Sequence, residues 1–147
     1  GLVACLDHVI AEPNTKIALS EVKLGILPAV IGPYVYKRLG SANFRRLSML
    51  AGKIDSNEAL RVGFIDQLVD SESSLATASV EVAEEILTSA PIAVSKVKHL
   101  TSRLDHWDGT DEQLRSWTLD LTSEMRASAE GQEGLSAFLE KRDPSWK

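Results

Sequence analysis

Hydrophobic and polar residues change their spacing about halfway along the chain. In the first 70 residues, short apolar runs alternate with Gly, Pro and Asn, a pattern typical of short strands joined by turns. Val9–Ala11, Lys16–Leu19 and residues 64–69 predict three such strands. Further along, apolar residues recur every third or fourth position, which predicts amphipathic helices. The pattern therefore predicts an α/β chain that is mostly helical, with a strand-and-turn part over residues 1–70 and a helical part over residues 71–147.

Helices are also predicted inside the first part. Tyr34–Leu39 and Ala42–Leu50 have helical spacing and are separated by Gly40, so two helices are expected there. Asp55 can cap a third helix, since Glu58 stands three residues later as in a capping box. The apolar run over residues 2–6 predicts the end of a buried helix, with Cys5 as a small core residue.

The second part predicts amphipathic helices. One follows residues 75–86, Pro91 opens another, and Thr110 with Gln113 forms a capping box for a third, which Gly131 is expected to break. The third helix carries an apolar stripe of Leu114, Trp117, Leu121 and Met125. Stripes of this width need a covering surface, so we expect a missing N-terminal half, a partner subunit, or both.

Composition narrows the function classes. The chain has a formal net charge of −5 and no run of Lys and Arg longer than two residues, which argues against nucleic-acid binding. No apolar run approaches the roughly 18–20 residues that cross a membrane. The single cysteine excludes an internal disulfide and predicts a reducing compartment, the cytoplasm or, in a eukaryote, the mitochondrial matrix. The first residue is Gly rather than Met, so we expect that the N-terminal part of the protein has been removed.

Glu21 is the main candidate for chemistry. It follows a predicted strand and opens a loop over residues 20–33 that is rich in apolar side chains, Gly and Pro. A carboxyl group at the mouth of such a loop loses water, which favours its protonated form and suits a general acid/base near neutral pH. The alternative is an exposed Glu21 paired with Lys23 or Lys16, and the spacing alone does not choose between them.

Other candidates are weaker. His8 stands at the end of the first apolar run beside Asp7, where both are more typical of helix-end structure than of catalysis. His99 and His106 lack acidic or Cys partners at metal-ligand spacing, so they are expected on the surface and no metal site is predicted.

The segment around Glu21 resembles the signature region of the enoyl-CoA hydratase/isomerase (crotonase-like) superfamily. The family segment contains (P/S)-E-(V/I)-K-L-G-(I/L)-x-P, and residues 20–28 read Ser-Glu-Val-Lys-Leu-Gly-Ile-Leu-Pro. Asp7, fourteen residues before Glu21, matches the Asp that precedes this segment. Residues 50–65 and 130–142 also match, so the resemblance covers nearly the whole chain and identifies it as the C-terminal portion of such a protein.

The resemblance implies a fold and a chemistry. The fold is the end of a ββα spiral over residues 1–70, followed by a helical trimerisation region over residues 71–147. The substrate is an acyl-CoA thioester whose carbonyl is held by two backbone N–H groups, both expected before Gly1. Glu21 is implied as the acid/base at the substrate α-carbon. The family needs no cofactor beyond the coenzyme A of its substrate, and it assembles as a trimer or a dimer of trimers.

The resemblance also assigns substrate contacts. Gly1, Pro28 and Ala29 are implied around the acyl group, and Lys141 matches a side chain that approaches the coenzyme A of a neighbouring subunit in some members. Two departures stand out. Gly1 occupies the position at which many hydratases carry a first catalytic Glu, and Thr122 replaces an aromatic residue that accompanies the coenzyme A contact.

The resemblance implies an enoyl-CoA hydratase in the whole protein, with the 147-residue chain inactive by itself. The loop Ala29–Tyr34 resembles that of hydratases for methylglutaconyl-CoA and related branched thioesters. An enoyl-CoA isomerase is the first alternative, because one Glu suffices to move a proton along the acyl chain. A non-catalytic oligomerisation module is the second.

Overall fold

The computed structural model describes residues 1–147 and contains two compact units, Gly1–Val80 and Glu81–Lys147. The sequence predicted a division at residues 70 and 71. In the structure the boundary lies between Val80 and Glu81, inside the helix Leu75–Leu87.

The first unit combines very short strands with helices. Each strand has two residues: β1 (Ile10–Ala11) pairs with β4 (Gln67–Leu68) in parallel, and β2 (Lys16–Ile17) pairs with β3 (Ile54–Asp55) antiparallel. In chain order the elements are a 3-10 turn Val3–Cys5, β1 Ile10–Ala11, β2 Lys16–Ile17, a 3-10 helix Glu21–Leu24, α1 Gly32–Leu50, β3 Ile54–Asp55, α2 Ser56–Arg61, β4 Gln67–Leu68, a 3-10 helix Glu72–Ser74 and α3 Leu75–Leu87.

Two differences from the predicted strands have backbone causes. The strand expected over residues 64–69 shortens to β4, since the N–H groups of Phe64 and Ile65 both donate to the carbonyl of Ala59 and so close a turn after α2. The sequence did not predict β3, because two residues between helices are too few to show a strand period.

Gly40 interrupts α1 as the sequence predicted. Its backbone has φ 71° and ψ 166°, a conformation that glycine adopts without steric cost, while the residues on either side are helical. The two helical segments therefore run in different directions, and each supplies side chains to the core.

The core of the first unit lies between α1, α2 and the strand residues. Its buried members are Val9, Ala11, Leu19, Val35, Leu39, Leu47, Ala59, Val62, Phe64 and Ile65. The prediction for residues 2–6 was wrong. They form a 3-10 turn in which only Ala4 packs against the core, and Cys5 is exposed with its Sγ 3.4 Å from the carbonyl oxygen of Gly1. The other residues of this run are exposed because no segment of the chain packs over their outer side.

Arg38 joins three separate segments of the first unit. Its Nε donates to the carbonyl of Phe64 at 2.8 Å, and a terminal nitrogen donates to the carbonyl of Leu6 at 2.8 Å. The other terminal nitrogen forms an ion pair with Asp66, whose carboxylate also accepts the N–H of Val9 at 2.7 Å. One guanidinium thus fixes α1 against the ends of β1 and β4.

The second unit consists of the end of α3 and three further helices, α4 Pro91–Asp105, α5 Asp111–Ala127 and α6 Ala129–Glu140. The capping box of Thr110 and Gln113 is present as predicted, with both reciprocal hydrogen bonds. None of the chain's helices is long and apolar enough to cross a membrane.

The break between α5 and α6 occurs at Ser128, so the prediction that Gly131 breaks the helix was wrong. Ser128 leaves helical geometry and its Oγ accepts the N–H of Gly131 at 3.0 Å, which caps α6. Gly131 lies in the first turn of α6, where a Cβ would come within 2.1 Å of the carbonyl oxygen of Met125. Glycine is therefore required for the close approach of two helix ends.

Glu130 caps a second helix in this unit. Its two carboxylate oxygens accept the N–H groups of Ile92 and Ala93 at 2.9 and 2.8 Å, in the first turn of α4. A carboxylate at this end of a helix satisfies unpaired N–H groups and complements the helix dipole.

The C-terminal tail is held to α6 by Glu133. Its carboxylate accepts two hydrogen bonds from Arg142 and one from the N–H of Ser145, and these lower the pKa of Glu133 to about 2. Because the folded-state pKa is below the ordinary value of 4.5, the stabilisation is complete above about pH 4.5 and is lost as the pH falls toward 2.

We therefore expect Glu133→Gln to make the stability of the second unit less dependent on pH between about 4.5 and 2. Acid unfolding followed by tryptophan fluorescence is a suitable measurement, because Trp107, Trp117 and Trp146 all lie in this unit. An unchanged slope in the variant would show that the tail contact contributes nothing in acid. Glu140→Gln, which removes a more exposed partner of Arg142, is the matched control.

Candidate active site

Glu21 lies at the start of the 3-10 helix Glu21–Leu24, where the sequence predicted only a loop. The N–H of Lys23 donates to the carbonyl of Ser20 and that of Ile26 to the carbonyl of Glu21, which closes a tight turn. Gly25 ends the turn with φ 74°. This left-handed conformation explains why a glycine follows the apolar residues here.

The carboxyl group of Glu21 is partly withdrawn from water. The residue as a whole is half-buried, and its Oε2 is shielded from solvent without any hydrogen-bond partner. Neither Lys16 nor Lys23 forms an ion pair with it, so the alternative of an exposed, paired glutamate does not hold. A buried carboxylate oxygen without a donor costs free energy, and such groups concentrate at functional sites.

An open apolar groove of about 480 Å³ lies beside this turn. One side is formed by Val22 and by residues 27–29 of the loop, and the other side by α1. The residues of α1 on the groove are Gly32, Pro33, Tyr36, Phe44, Arg45, Ser48 and Met49. Its volume is within the usual range for a ligand site, and its walls have the usual apolar character.

The predicted substrate contacts fall into two different hollows. Pro28 and Ala29 line the groove, whereas Gly1 lines a separate apolar cavity of about 70 Å³ within the first unit. Glu21 lines neither of them, although its neighbour Val22 lines the groove. The structure therefore brings Pro28 and Ala29 together near the turn of Glu21 and places Gly1 apart from them.

Position 1 has little room for a side chain. A Cβ on Gly1 would lie 2.7 Å from Cγ2 of Ile31, closer than atoms of two side chains approach. A carboxylate at position 1 would therefore require Ile31 to move.

The other candidates remain outside this region. His8, His99 and His106 are exposed, and the Nδ1 of His106 lies 2.8 Å from the carbonyl oxygen of Ser102 in the last turn of α4. No group of three His, Cys, Asp or Glu side chains could hold a metal ion.

Lys141 belongs to the second unit, where it ends α6. Its backbone adopts φ 55°, its N–H donates to the carbonyl of Phe138, and its side chain is exposed. Thr122, the other position of the predicted coenzyme A contact, lies on α5 with its hydroxyl bonded to the carbonyl of Thr118 at 2.8 Å.

Sequence reasoning missed two polar residues of the groove, Arg45 and Ser48. Both lie in the second segment of α1, which the sequence identified only as a helix. The available signal was Ser48, which stands four residues after Phe44 and so occupies the same apolar face. A polar residue on an apolar helix face indicates a site only when the surface opposite that face is known.

Comparison with protein families gives one consistent result. The family model described as enoyl-CoA hydratase/isomerase matches residues 1–147. Among curated proteins, a carnitinyl-CoA dehydratase of Citrobacter koseri is 33% identical over 150 residues, covering 99% of this chain and 57% of the relative. The chain thus spans little more than half the length of the curated relatives it matches.

Comparison with solved structures gives the same result. An enoyl-CoA hydratase from Shewanella pealeana superposes with a TM-score of 0.86 at 37% identity, covering 99% of this chain and 53% of the neighbour. Pseudomonas aeruginosa AtuE superposes with a TM-score of 0.90 at 34% identity, covering 99% and 56%. Both similarities extend over both compact units of the chain.

Proposed function

The chain belongs to the enoyl-CoA hydratase/isomerase family, and on this premise we propose that the whole protein adds water to a 2-enoyl-CoA thioester with Glu21 as acid/base. The observation that carries the proposal is the solvent-shielded, unpartnered Oε2 of Glu21 beside an apolar groove. The names of the relatives agree with it, since a hydratase and a dehydratase catalyse the same kind of reaction in opposite directions.

The proposed reaction needs one proton transfer at carbon. Water adds its oxygen to the β-carbon, negative charge develops on the thioester oxygen, and the α-carbon then receives a proton. Glu21, in its protonated form, delivers the proton to the α-carbon and so becomes a carboxylate, which takes up the proton that the attacking water releases. Backbone N–H groups directed at the thioester oxygen stabilise the developing charge, and in this family we place them in the part of the protein that precedes Gly1.

Pro28 and Ala29, which line the groove, are proposed to contact the acyl group. The proposed contacts of Gly1 with the acyl group and of Lys141 with coenzyme A rest on the family resemblance and not on the groove. The loop Ala29–Tyr34 contains Ile31 and Pro33, which are stiffer than the glycines common in relatives. A reshaped pocket of this kind suits a branched acyl group such as methylglutaconyl. The reaction requires no cofactor beyond the coenzyme A that the substrate carries.

An isomerase is the second candidate, and position 1 favours it. Many hydratases of the family use a second glutamate there to activate water, whereas this chain has Gly1 with Ile31 filling the adjacent space. Glu21 alone can take a proton from one carbon and return it to another, which moves the double bond without water.

Product analysis on the whole protein separates the two. With crotonyl-CoA as substrate, a hydratase yields a thioester whose mass has increased by one water. With a 3-enoyl-CoA, an isomerase yields a 2-enoyl-CoA of unchanged mass. We expect the water adduct. Migration of the double bond without any water adduct would assign the protein to the isomerases instead.

We also propose that the whole protein is a homo-oligomer, a trimer or a dimer of trimers. Support comes from α6, on which Phe138 and Leu139 are 80% and 78% exposed although both are large and apolar. A self-associating chain that never alters crotonyl-CoA would be an oligomerisation module.

We expect residues 1–147 alone to be inactive, and the whole protein to be active.

A further inference from the structure

Ile31 occupies the space beside Gly1. A Cβ added at position 1 would lie 2.7 Å from Cγ2 and 3.2 Å from Cβ of Ile31, inside normal contact distance. Isoleucine is branched at Cβ, so its side chain has few rotamers and neither of these atoms can swing aside freely. Position 1 therefore has room for glycine and for no larger residue while Ile31 keeps its place.

The start of α1 fixes Ile31 in this position. Its carbonyl accepts the N–H groups of Tyr34 at 3.2 Å and Val35 at 3.1 Å, and the side chain of Val35 is buried in the core. The side chain of Ile31 also packs against the core of the first unit. A movement of Ile31 away from position 1 would disturb both the first turn of α1 and this packing.

Position 1 faces the part of the first unit that leads to Glu21. Gly1 and Ile31 line the apolar cavity of about 70 Å³ together with Leu19, which stands two residues before Glu21. No Asp or Glu lines either this cavity or the groove beside the turn of Glu21. A carboxyl group at position 1 would therefore be a new addition to this region, and Ile31 stands in its way.

Hydration moves two protons. The attacking water loses one as its oxygen bonds to the β-carbon, and the α-carbon gains one as the double bond is lost. We propose that Ile31 is a specificity-determining residue, which keeps position 1 free of a side chain and so leaves both transfers to Glu21. The inference rests on the proposed function and adds the residue that limits the site to one carboxyl group. Ile31 acts through the space that it fills and transfers no proton itself.

The steric part of the inference is tested by a thermodynamic cycle in the whole protein. Gly1→Ala adds a single Cβ, and we expect it to lower the urea midpoint of unfolding when Ile31 is present. In Ile31→Ala the contact with Cγ2 is gone, so Gly1→Ala should lower the midpoint by clearly less. Val30→Ala changes the neighbouring residue, which is 87% exposed, and is the matched control. It should leave the effect of Gly1→Ala unchanged.

The catalytic part is tested by placing a carboxyl group at position 1. Gly1→Glu is compared with Gly1→Gln, which adds a side chain of the same size that cannot take the proton from water. In the Ile31→Ala protein, Gly1→Glu should hydrate crotonyl-CoA with a kcat at least about tenfold above that of Gly1→Gln, since a positioned acid/base contributes about 100-fold or more. With Ile31 present, the two variants should have equal kcat, because neither side chain reaches its place.

The outcomes separate this inference from the proposed function. A wild-type protein that hydrates no enoyl-CoA contradicts both. If wild type hydrates crotonyl-CoA but Gly1→Ala lowers the midpoint equally with and without Ile31, the inference alone is wrong. The same holds if Gly1→Glu and Gly1→Gln, both folded by circular dichroism, have equal kcat in the Ile31→Ala protein, because position 1 would then not reach the reacting water.

Discussion

Replacing Glu21 with glutamine in the whole protein is expected to lower the turnover number for enoyl-CoA hydration by at least about 100-fold. Glutamine has nearly the same size and fits the same turn, but its amide cannot deliver or accept the proton at the α-carbon. The substrate still fills the groove, so KM should change far less than kcat. Steady-state kinetics on purified wild type and variant give both values.

Glu12→Gln is a matched control for this change. Glu12 is a half-buried glutamate in the turn between β1 and β2, and it lines neither hollow. We expect this variant to keep wild-type turnover, and circular dichroism should show both variants folded. If Glu21→Gln is folded and loses less than about tenfold in turnover, Glu21 is not the acid/base.

Replacing Arg38 with alanine is expected to lower the free energy of unfolding by about 3 kcal/mol. Arg38 is only 11% exposed in its side chain, and its guanidinium is the donor to two carbonyls and to Asp66. Removal leaves the two carbonyls without this donor and Asp66 without its ion-pair partner, and it also removes the guanidinium from above the ring of Phe64, 5.9 Å from the ring centroid. Urea denaturation of the whole protein measures the loss.

Arg45→Ala is the matched control, because it removes an arginine from the same helix without breaking an ion pair. Its effect on unfolding should stay within about 0.5 kcal/mol. Amide hydrogen exchange gives a local readout, since the N–H of Val9 depends on Asp66 and should exchange faster when Arg38 is absent. Equal stability of the two variants would mean that the Arg38 contacts do not hold the first unit together.

The features that the sequence predicted well are set by local interactions. Asp55 accepts the N–H of Glu58 at 2.9 Å, and the capping box of Thr110 involves residues three apart. Gly40 interrupts α1 because its own backbone conformation favours glycine. In each case the cause lies within one helical turn, so the local pattern contains enough information.

The features that the sequence missed depend on distant parts of the chain. Leu2, Val3 and Leu6 are apolar but exposed, since burial requires a layer that residues 1–147 do not place over them. The break at Ser128 reflects the close approach of the ends of α5 and α6. Similarly, β3 exists because β2, more than thirty residues earlier, pairs with it.

The predictions for the site show the same difference between local and long-range features. Glu21 was identified by its motif, and the structure adds that its Oε2 is shielded and unpaired. That Arg45 and Ser48 line the groove could not be predicted, because the opposite wall is formed by residues 27–29, which packing rather than periodicity brings opposite α1. The sequence alone therefore identified Glu21 as the candidate acid/base but did not predict the groove.

Proton transfer at the α-carbon is the central claim, and hydration in deuterium oxide measures it most directly. Wild-type protein should introduce one deuterium at the α-carbon of the product, detected by NMR, at a rate that falls in Glu21→Gln together with water addition. Deuterium entering that carbon equally fast in the variant would contradict the account, because another group would then be moving the proton.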